Sequence, residues 1–191
     1  MQQTEENWRE SKARGNMTEN IVEFIINSTP NWRCIKYGME NHIEELIKRL
    51  KGLPDHSNEL AKMIRSMPDF IAINEKTNQV LLIDCKFRAF IDRRKSREAL
   101  YGFPYGQIKD YLQYWPSAHL FIIHPHEPYF ILVNLKDVEW HKHFHSRKEI
   151  NGRLIEQWNF AGIYKSLKEI FVEVSDTVIG QAIAMIPQKK G

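Results

Sequence analysis

Residues 67–87 read MPDFIAINEKTNQVLLIDCKF. FIAIN and VLLID are apolar runs of strand length, rich in Ile, Val and Leu, and the polar EKTNQ between them supplies a turn, so the stretch predicts a β-hairpin. A strand as apolar as VLLI belongs in the middle of a sheet. Fourteen residues separate Asp69 from Asp84. Because one strand leaves and the other returns, the hairpin sets the two aspartates side by side at one end of the pair. Side chains alternate along a strand, so Asp84 and Lys86 face one way and Cys85 the other.

On the N-terminal side, Thr18 reads as the cap of a first helix with Ile21, Val22, Ile25 and Ile26 on one face, stopped by Ser28-Thr29-Pro30. The polar residues 1–15 before it are expected to fray. WRCIKY, 32–37, predicts a strand, and Gly38 breaks it. Amphipathic helices over about Glu40–Lys51 and 57–66 follow, a two-helix insertion spanning 39–66. On the C-terminal side come a basic, aromatic stretch over 87–103, a helix over 105–115, and the strands HLFIIH and YFILVNL. A C-terminal extension, 136–191, holds a His-rich stretch, a loop at Gly152, a helix over about 161–172 and a mobile QKKG tail. The pattern is α/β, in the order αβββαβ, with a central mixed sheet of about five strands flanked by helices.

The 191 residues, 42% hydrophobic and 12% aromatic, suit one domain, 1–191. Charged residues make up 27% and are spread along the chain, which argues against disorder. No apolar run approaches the roughly 20 residues of a membrane span. Two cysteines, Cys34 and Cys85, supply no disulfide framework, and the polar opening MQQTEENWRESK is unlike a secretory signal, so an intracellular, cytoplasmic setting is expected. The balance of 27 Lys+Arg against 24 Asp+Glu, +3, permits a polyanionic partner without requiring one.

Two carboxylates, a main-chain carbonyl and an ammonium converging on one strand end suggest a specific chemistry. Like charges so close raise each other's pKa unless a cation intervenes, and Asp69, Asp84 and the Cys85 carbonyl form a hard oxygen set suited to Mg²⁺, with Mn²⁺ able to substitute. Such a site fits phosphodiester hydrolysis: the metal would polarise the phosphate and acidify water, and Lys86 would orient that water or stabilise charge developing on phosphorus. Taken singly, Asp69 is an ordinary turn residue and Asp84–Lys86 an ordinary cross-strand pair. Together, with a carboxylate ending an apolar run where burial is expensive, they read as a site.

These residues resemble the bipartite signature of the PD-(D/E)XK phosphodiesterases, with Asp69, Asp84 and Lys86 at its three positions. The resemblance implies a restriction-endonuclease-like fold and a Mg²⁺-dependent DNA endonuclease. ARGNMTENIVEFIIN followed by WRCIKY is similar to the first helix and strand of the archaeal Holliday-junction-resolvase branch, which carry a helical glutamate. That comparison puts Glu19 in the acidic cluster, while Glu40, just past the first strand, and Glu23 stay open as alternatives. QIKDY, 107–111, resembles the Gln-x-x-x-Tyr motif of RecB-like and Cas4-like nucleases, with Gln107 and Tyr111 one helical turn apart. It implies that the pair positions the water or the scissile phosphate.

Arg88, Arg93, Arg94, Lys95 and Arg97, with Lys109 on the following helix, read as phosphate contacts. Phe90, Tyr101, Phe103 and Tyr105 have the chemistry to stack on bases, but packing on the core is the better expectation for them. His141, His143 and His145, with His124 and His126, invite zinc, yet no Cys or carboxylate in a standard spacing completes a set, and a surface cluster is favoured. Trp140 and Trp158 are expected to anchor the C-terminal segment, and Cys85 to be a core residue. DNA is the expected partner. A homodimer is compatible with cutting two strands, and no nucleotide cofactor is suggested. The rival readings are a non-catalytic nucleic-acid-binding module of the same fold, a resolvase of branched DNA, and a zinc protein.

Overall fold

The structure is a computed structural model that describes residues 2–37, 59–88 and 100–187. Helix α1 (Gln2–Ser28) buries Ile21, Val22, Ile25 and Ile26, the helical spacing read from the sequence. It begins well before Thr18. That residue lies inside the helix, and its hydroxyl donates to the Arg14 carbonyl at 2.7 Å, the back-bond that a mid-helix threonine adopts in place of capping. The helix thus runs on through residues 2–15, expected to fray.

Strands β1 (Trp32–Lys36), β2 (Phe70–Asn74) and β3 (Gln79–Phe87) form an antiparallel meander, with the short helix α2 (Glu59–Arg65) between β1 and β2. The β2–β3 turn is set by Asn74, whose Oδ1 accepts the backbone N–H groups of Lys76 at 3.0 Å and Thr77 at 2.9 Å, and by Asn78 at φ 58°. Strand β4 (Leu100–Pro104) leads into helix α3 (Gln107–Tyr114), then β5 (Ala118–Ile123) and β6 (Phe130–Asn134). β5 lies parallel to β3 and β6 antiparallel to β5. After a single helical turn, α4 (Trp140–His143), come β7 (Phe144–Ile150), β8 (Arg153–Asn159), β9 (Tyr164–Ser166), and helices α5 (Leu167–Ile170) and α6 (Asp176–Ala184). The main sheet is six-stranded and mixed, in the order β1-β2-β3-β5-β6-β9. Among the described residues no helix is long and apolar enough to cross a membrane.

Both faces of this sheet are covered, which explains why β5 and β6 are buried along nearly their whole length and, apart from His119 and Asn134, apolar. One face packs Leu81, Ile83, Cys85, Phe121 and Leu132 against α1 and α6. The other packs Leu120, Ile122, Ile131 and Val133 against α3 and against a second, three-stranded sheet ordered β4-β8-β7.

The second sheet departs from the sequence reading. The helix expected over 161–172 is instead the three-residue β9 followed by a four-residue α5 with a Ser166–Glu169 capping box. Residues 144–159 form a hairpin whose turn, Asn151-Gly152, takes positive φ at both positions, 51° and 71°. Trp158 is wholly buried, and Trp140 meets it edge-on at 4.9 Å. The two tryptophans anchor this region as expected, on the second core. The helix expected over Glu40–Lys51 and the QKKG tail lie outside the described residues.

The histidines divide between surface and core. His141 and His145 are exposed, but His143 is buried and its Nδ1 accepts the Glu139 N–H at 2.8 Å. His124 is wholly buried, with Nε2 3.1 Å from the Tyr101 hydroxyl. Burial, then the neighbouring His126, lowers the His124 pKa to about 4. A histidine with a folded pKa below its unfolded value adds stability above the unfolded value and loses it as pH falls through the folded one. Relative to a His124→Phe variant, the parent is expected to lose about 2–3 kcal/mol of unfolding free energy as pH falls from about 6.5 to 4, measured by urea denaturation.

Candidate active site

The candidate site grows out of the β2–β3 register. Phe70 pairs with Ile83, and continuing that antiparallel ladder by one residue sets Asp69 opposite Asp84. Asp69 Oδ2 accepts the Cys85 N–H at 2.7 Å, which locks the residue after Pro68 onto β3. Its own carbonyl accepts the Tyr37 N–H at 2.8 Å, so the end of β1 reaches the same place.

Asp84 is 3% exposed. A carboxylate that deep needs partners, and among the described residues Lys86 and Tyr111 serve as such. Lys86, on the same face of β3, ion-pairs with Asp84 Oδ2, and its Nζ also donates to the Cys85 carbonyl at 3.1 Å. Tyr111 of α3 donates its hydroxyl to Asp84 Oδ1 at 2.9 Å, and Gln107 Nε2 donates to the Tyr111 oxygen at 3.1 Å. The four-residue spacing from Gln107 to Tyr111 thus becomes a hydrogen-bonded relay from the start of α3 to the acid. The amide and phenol order one another through that relay.

The electrostatics follow from burial and crowding. Burial, then the Asp84 charge, pushes the Asp69 carboxyl up to about 7; Lys86 and the Cys85 N–H oppose this, and Glu19 adds a further small push upward. Burial is the largest single influence and works against the Lys86 ammonium, but Asp84, Tyr111 and Asp69 together outweigh it and hold Lys86 above the usual lysine range. Burial, then Asp84, raises Tyr111, which therefore stays a donor. Cys85 packs with α1 on the opposite face and burial pushes its thiol up, as a core residue.

A cleft of about 390 Å³ opens at the carboxyl end of β3, lined by Arg14, Thr18, Lys86, Arg88 and Gln107 among others. Arg88 is half-buried there. Its Nε donates to the Gly102 carbonyl at 3.1 Å, its Nη1 to its neighbour Phe87 at 2.9 Å, and its guanidinium covers the Phe103 ring. It ties β3 to β4. Lys109 is exposed on α3. Glu19, on α1, is half-buried and reaches the site through its charge, whereas Glu23 ion-pairs with Lys36 at 3.4 Å. Glu40, Arg93, Arg94, Lys95, Arg97 and Phe90 lie outside the described residues. Of the other aromatics, Tyr101 and Phe103 are buried as expected, but Tyr105 is exposed.

Among the described residues no three His, Cys, Asp or Glu side chains form a ready-made metal group. The donor set is two carboxylates and the Cys85 carbonyl. The Lys86 ammonium lies on two of those oxygens, Asp84 Oδ2 and Cys85 O, so they already face positive charge. Two further residues went unnoticed in the sequence. Glu156 of β8, 1% exposed, accepts the Gly106 N–H at 3.3 Å and the Arg147 Nη2 at 2.8 Å. Gly106, at φ 78°, is the residue from which α3 starts.

No protein-family model matches the chain, and no curated protein matches it. Among solved structures, a nuclease from a fusselovirus is similar over 91% of this chain and 93% of that one, at 10% identity and a TM-score of 0.39. At that distance no residue role passes from one protein to the other.

Removing the Tyr111 hydroxyl leaves a buried carboxylate oxygen short of a donor. Tyr111→Phe is therefore expected to lower unfolding free energy by about 1–3 kcal/mol, read by urea denaturation. Gln107→Ala is expected to cost less in the Tyr111→Phe background than in the parent, because both variants break one relay.

Proposed function

We propose that the chain is a metal-dependent DNA endonuclease of the PD-(D/E)XK type. The observation that carries this reading is the meeting of Asp69, Asp84 and Lys86 at one end of the β2–β3 pair, with Tyr111 of α3 hydrogen-bonded to the buried acid. With α2 inserted between β1 and β2 and β4 of the second sheet between β3 and α3, the remaining order α1-β1-β2-β3-α3-β5 around a mixed sheet is compatible with a restriction-endonuclease-like core and supports the same reading.

The residues fit a hard divalent cation. Burial and mutual repulsion disfavour two ionised carboxylates side by side, and the oxygens of Asp84 and Cys85 already hold a cationic group. Asp69, Asp84 and the Cys85 carbonyl would hold Mg²⁺, with Glu19 the first candidate to complete the set and Glu40 the alternative. When bound, Mg²⁺ supplies neutralisation of the phosphodiester and a more acidic water.

The chain's own side chains do the rest. The Lys86 ammonium, on a flexible stem, moves from the carboxylate to the attacking water and to the charge growing on phosphorus. Tyr111 fixes the Asp84 carboxylate in one orientation, so this acid does not reorganise during the reaction. Gln107, at the mouth of the cleft, holds Tyr111 and faces the scissile phosphate. Arg88 keeps β4 against β3 and so shapes the cleft wall, while Lys109 meets a neighbouring phosphate.

The test is a cleavage panel of linear duplex, single-stranded, flapped and four-way-junction DNA in Mg²⁺ and in chelator. The parent is expected to cut at least one substrate in Mg²⁺ and none in chelator. Asp84→Ala is expected to lose at least about a hundredfold in rate while still binding DNA. Equal cutting by Asp84→Ala and the parent would overturn the assignment, and preference for the junction would favour the resolvase branch.

A further inference from the structure

We infer that Tyr105 and Arg147 form a stacking platform for an unpaired base of the substrate strand, next to the cutting site. The inference rests on the nuclease reading above and names the class of nucleic acid that the site takes.

A second cleft, of about 970 Å³, shares Pro104 and Gln107 with the first and is lined by Gln107 and Tyr111 of the acid relay; its wall also carries Lys62, Tyr105, Lys109 and Arg147. Tyr105 sits between the end of β4 and the start of α3, and its N–H donates to the Leu154 carbonyl at 3.0 Å, so its backbone is fixed. Tyr105 is 57% exposed. A single exposed aromatic needs no special explanation. This one is held in place. The Arg147 guanidinium lies 4.5 Å from the ring centroid and is itself anchored by the buried Glu156 at 2.8 Å. A buried carboxylate on β8 therefore fixes an arginine over an open tyrosine, two residues from Gln107.

Rigid aromatic and guanidinium planes at the wall of a groove are what bases of a single strand stack on, because every base presents a π-face regardless of sequence. Lys62, Lys109 and Arg147 outnumber the acidic wall residues Asp110 and Glu156, and Arg147 neutralises Glu156, which suits a phosphate backbone. In continuous duplex the base faces are covered by their neighbours. The platform therefore selects a strand with an unpaired base close to the scissile bond.

Fluorescence anisotropy of the full chain in chelator, with a labelled oligodeoxythymidylate and a duplex of equal length, tests this. Tyr105→Ala is expected to weaken single-strand binding about tenfold, a typical loss for one base–aromatic stack. Tyr105→Phe is expected to restore it, and the duplex to change far less. Equal binding of the single strand by Tyr105→Ala and the parent, or equal loss for both probes, would overturn the platform. Should Tyr105→Ala misfold, photocrosslinking of a thiothymidine-substituted strand to the parent serves instead. Label at Tyr105 supports the platform, and label only elsewhere overturns it. A parent that stacks the strand on Tyr105 yet never cuts in Mg²⁺ would sink the nuclease reading alone.

Discussion

Burying the carboxylate of Asp84 at the end of an apolar strand is the constraint on which the rest of the site depends. An unpaired charge at 3% exposure would cost several kcal/mol, so its neighbours are dictated rather than free. Lys86 must stand two residues further along the same face, Tyr111 must reach across from α3, and α3 must begin where Gln107 can brace Tyr111. The parallel pairing of β5 with β3 follows from the same arrangement, because α3 is the crossover that joins the second half of the sheet to the first.

The second sheet completes that logic from the other direction. Glu156 accepts the N–H at the start of α3 and pairs with Arg147, while Tyr101 and Phe103 of β4 and Trp158 of β8 fill the core beneath the helix. Arg88 closes the seam between the two sheets by donating to the Gly102 carbonyl. The C-terminal extension is therefore the support of the helix that carries half of the acid relay, and it also brings Arg147 to the wall of the larger cleft.

How much of this could be read from the sequence depended on contrast between neighbouring residues. The hairpin was plain because FIAIN and VLLID are apolar against a polar turn; its antiparallel return paired Asp69 with Asp84, and strand alternation put Lys86 on the face of Asp84. Gln107 and Tyr111 were singled out by the Gln-x-x-x-Tyr resemblance and their shared helix face, whereas their hydrogen-bonded path to Asp84 depends on how α3 packs on β3, which the spacing does not contain. Thr18 misled because a threonine before an apolar run resembles a cap, whereas its hydroxyl satisfied an i−4 carbonyl inside a longer helix. The second sheet was hidden because β7 is mostly exposed and charged, so FHSRKEI lacks the apolar alternation of a half-buried strand. The Asn151-Gly152 pair, read only as a loop, is a tight-hairpin signal that could have revealed β7 and β8, and Glu156 four residues later was the buried acid that the charge pattern masked. Tyr105 differed from Tyr101 and Phe103 for a reason no composition could reveal. β4 ends at Pro104, and the ring falls just past the edge of the core.

A crystal of the protein soaked in Mn²⁺, read by anomalous scattering, addresses the paired carboxylates most directly. The expected result is a peak bonded to Asp69, Asp84 and the Cys85 carbonyl at about 2.1 Å, the distance usual for a small hard divalent ion, with Lys86 displaced from Asp84. A saturated soak with no peak between the two aspartates, or with their carboxyl oxygens turned apart beyond the span of one ion, would contradict it.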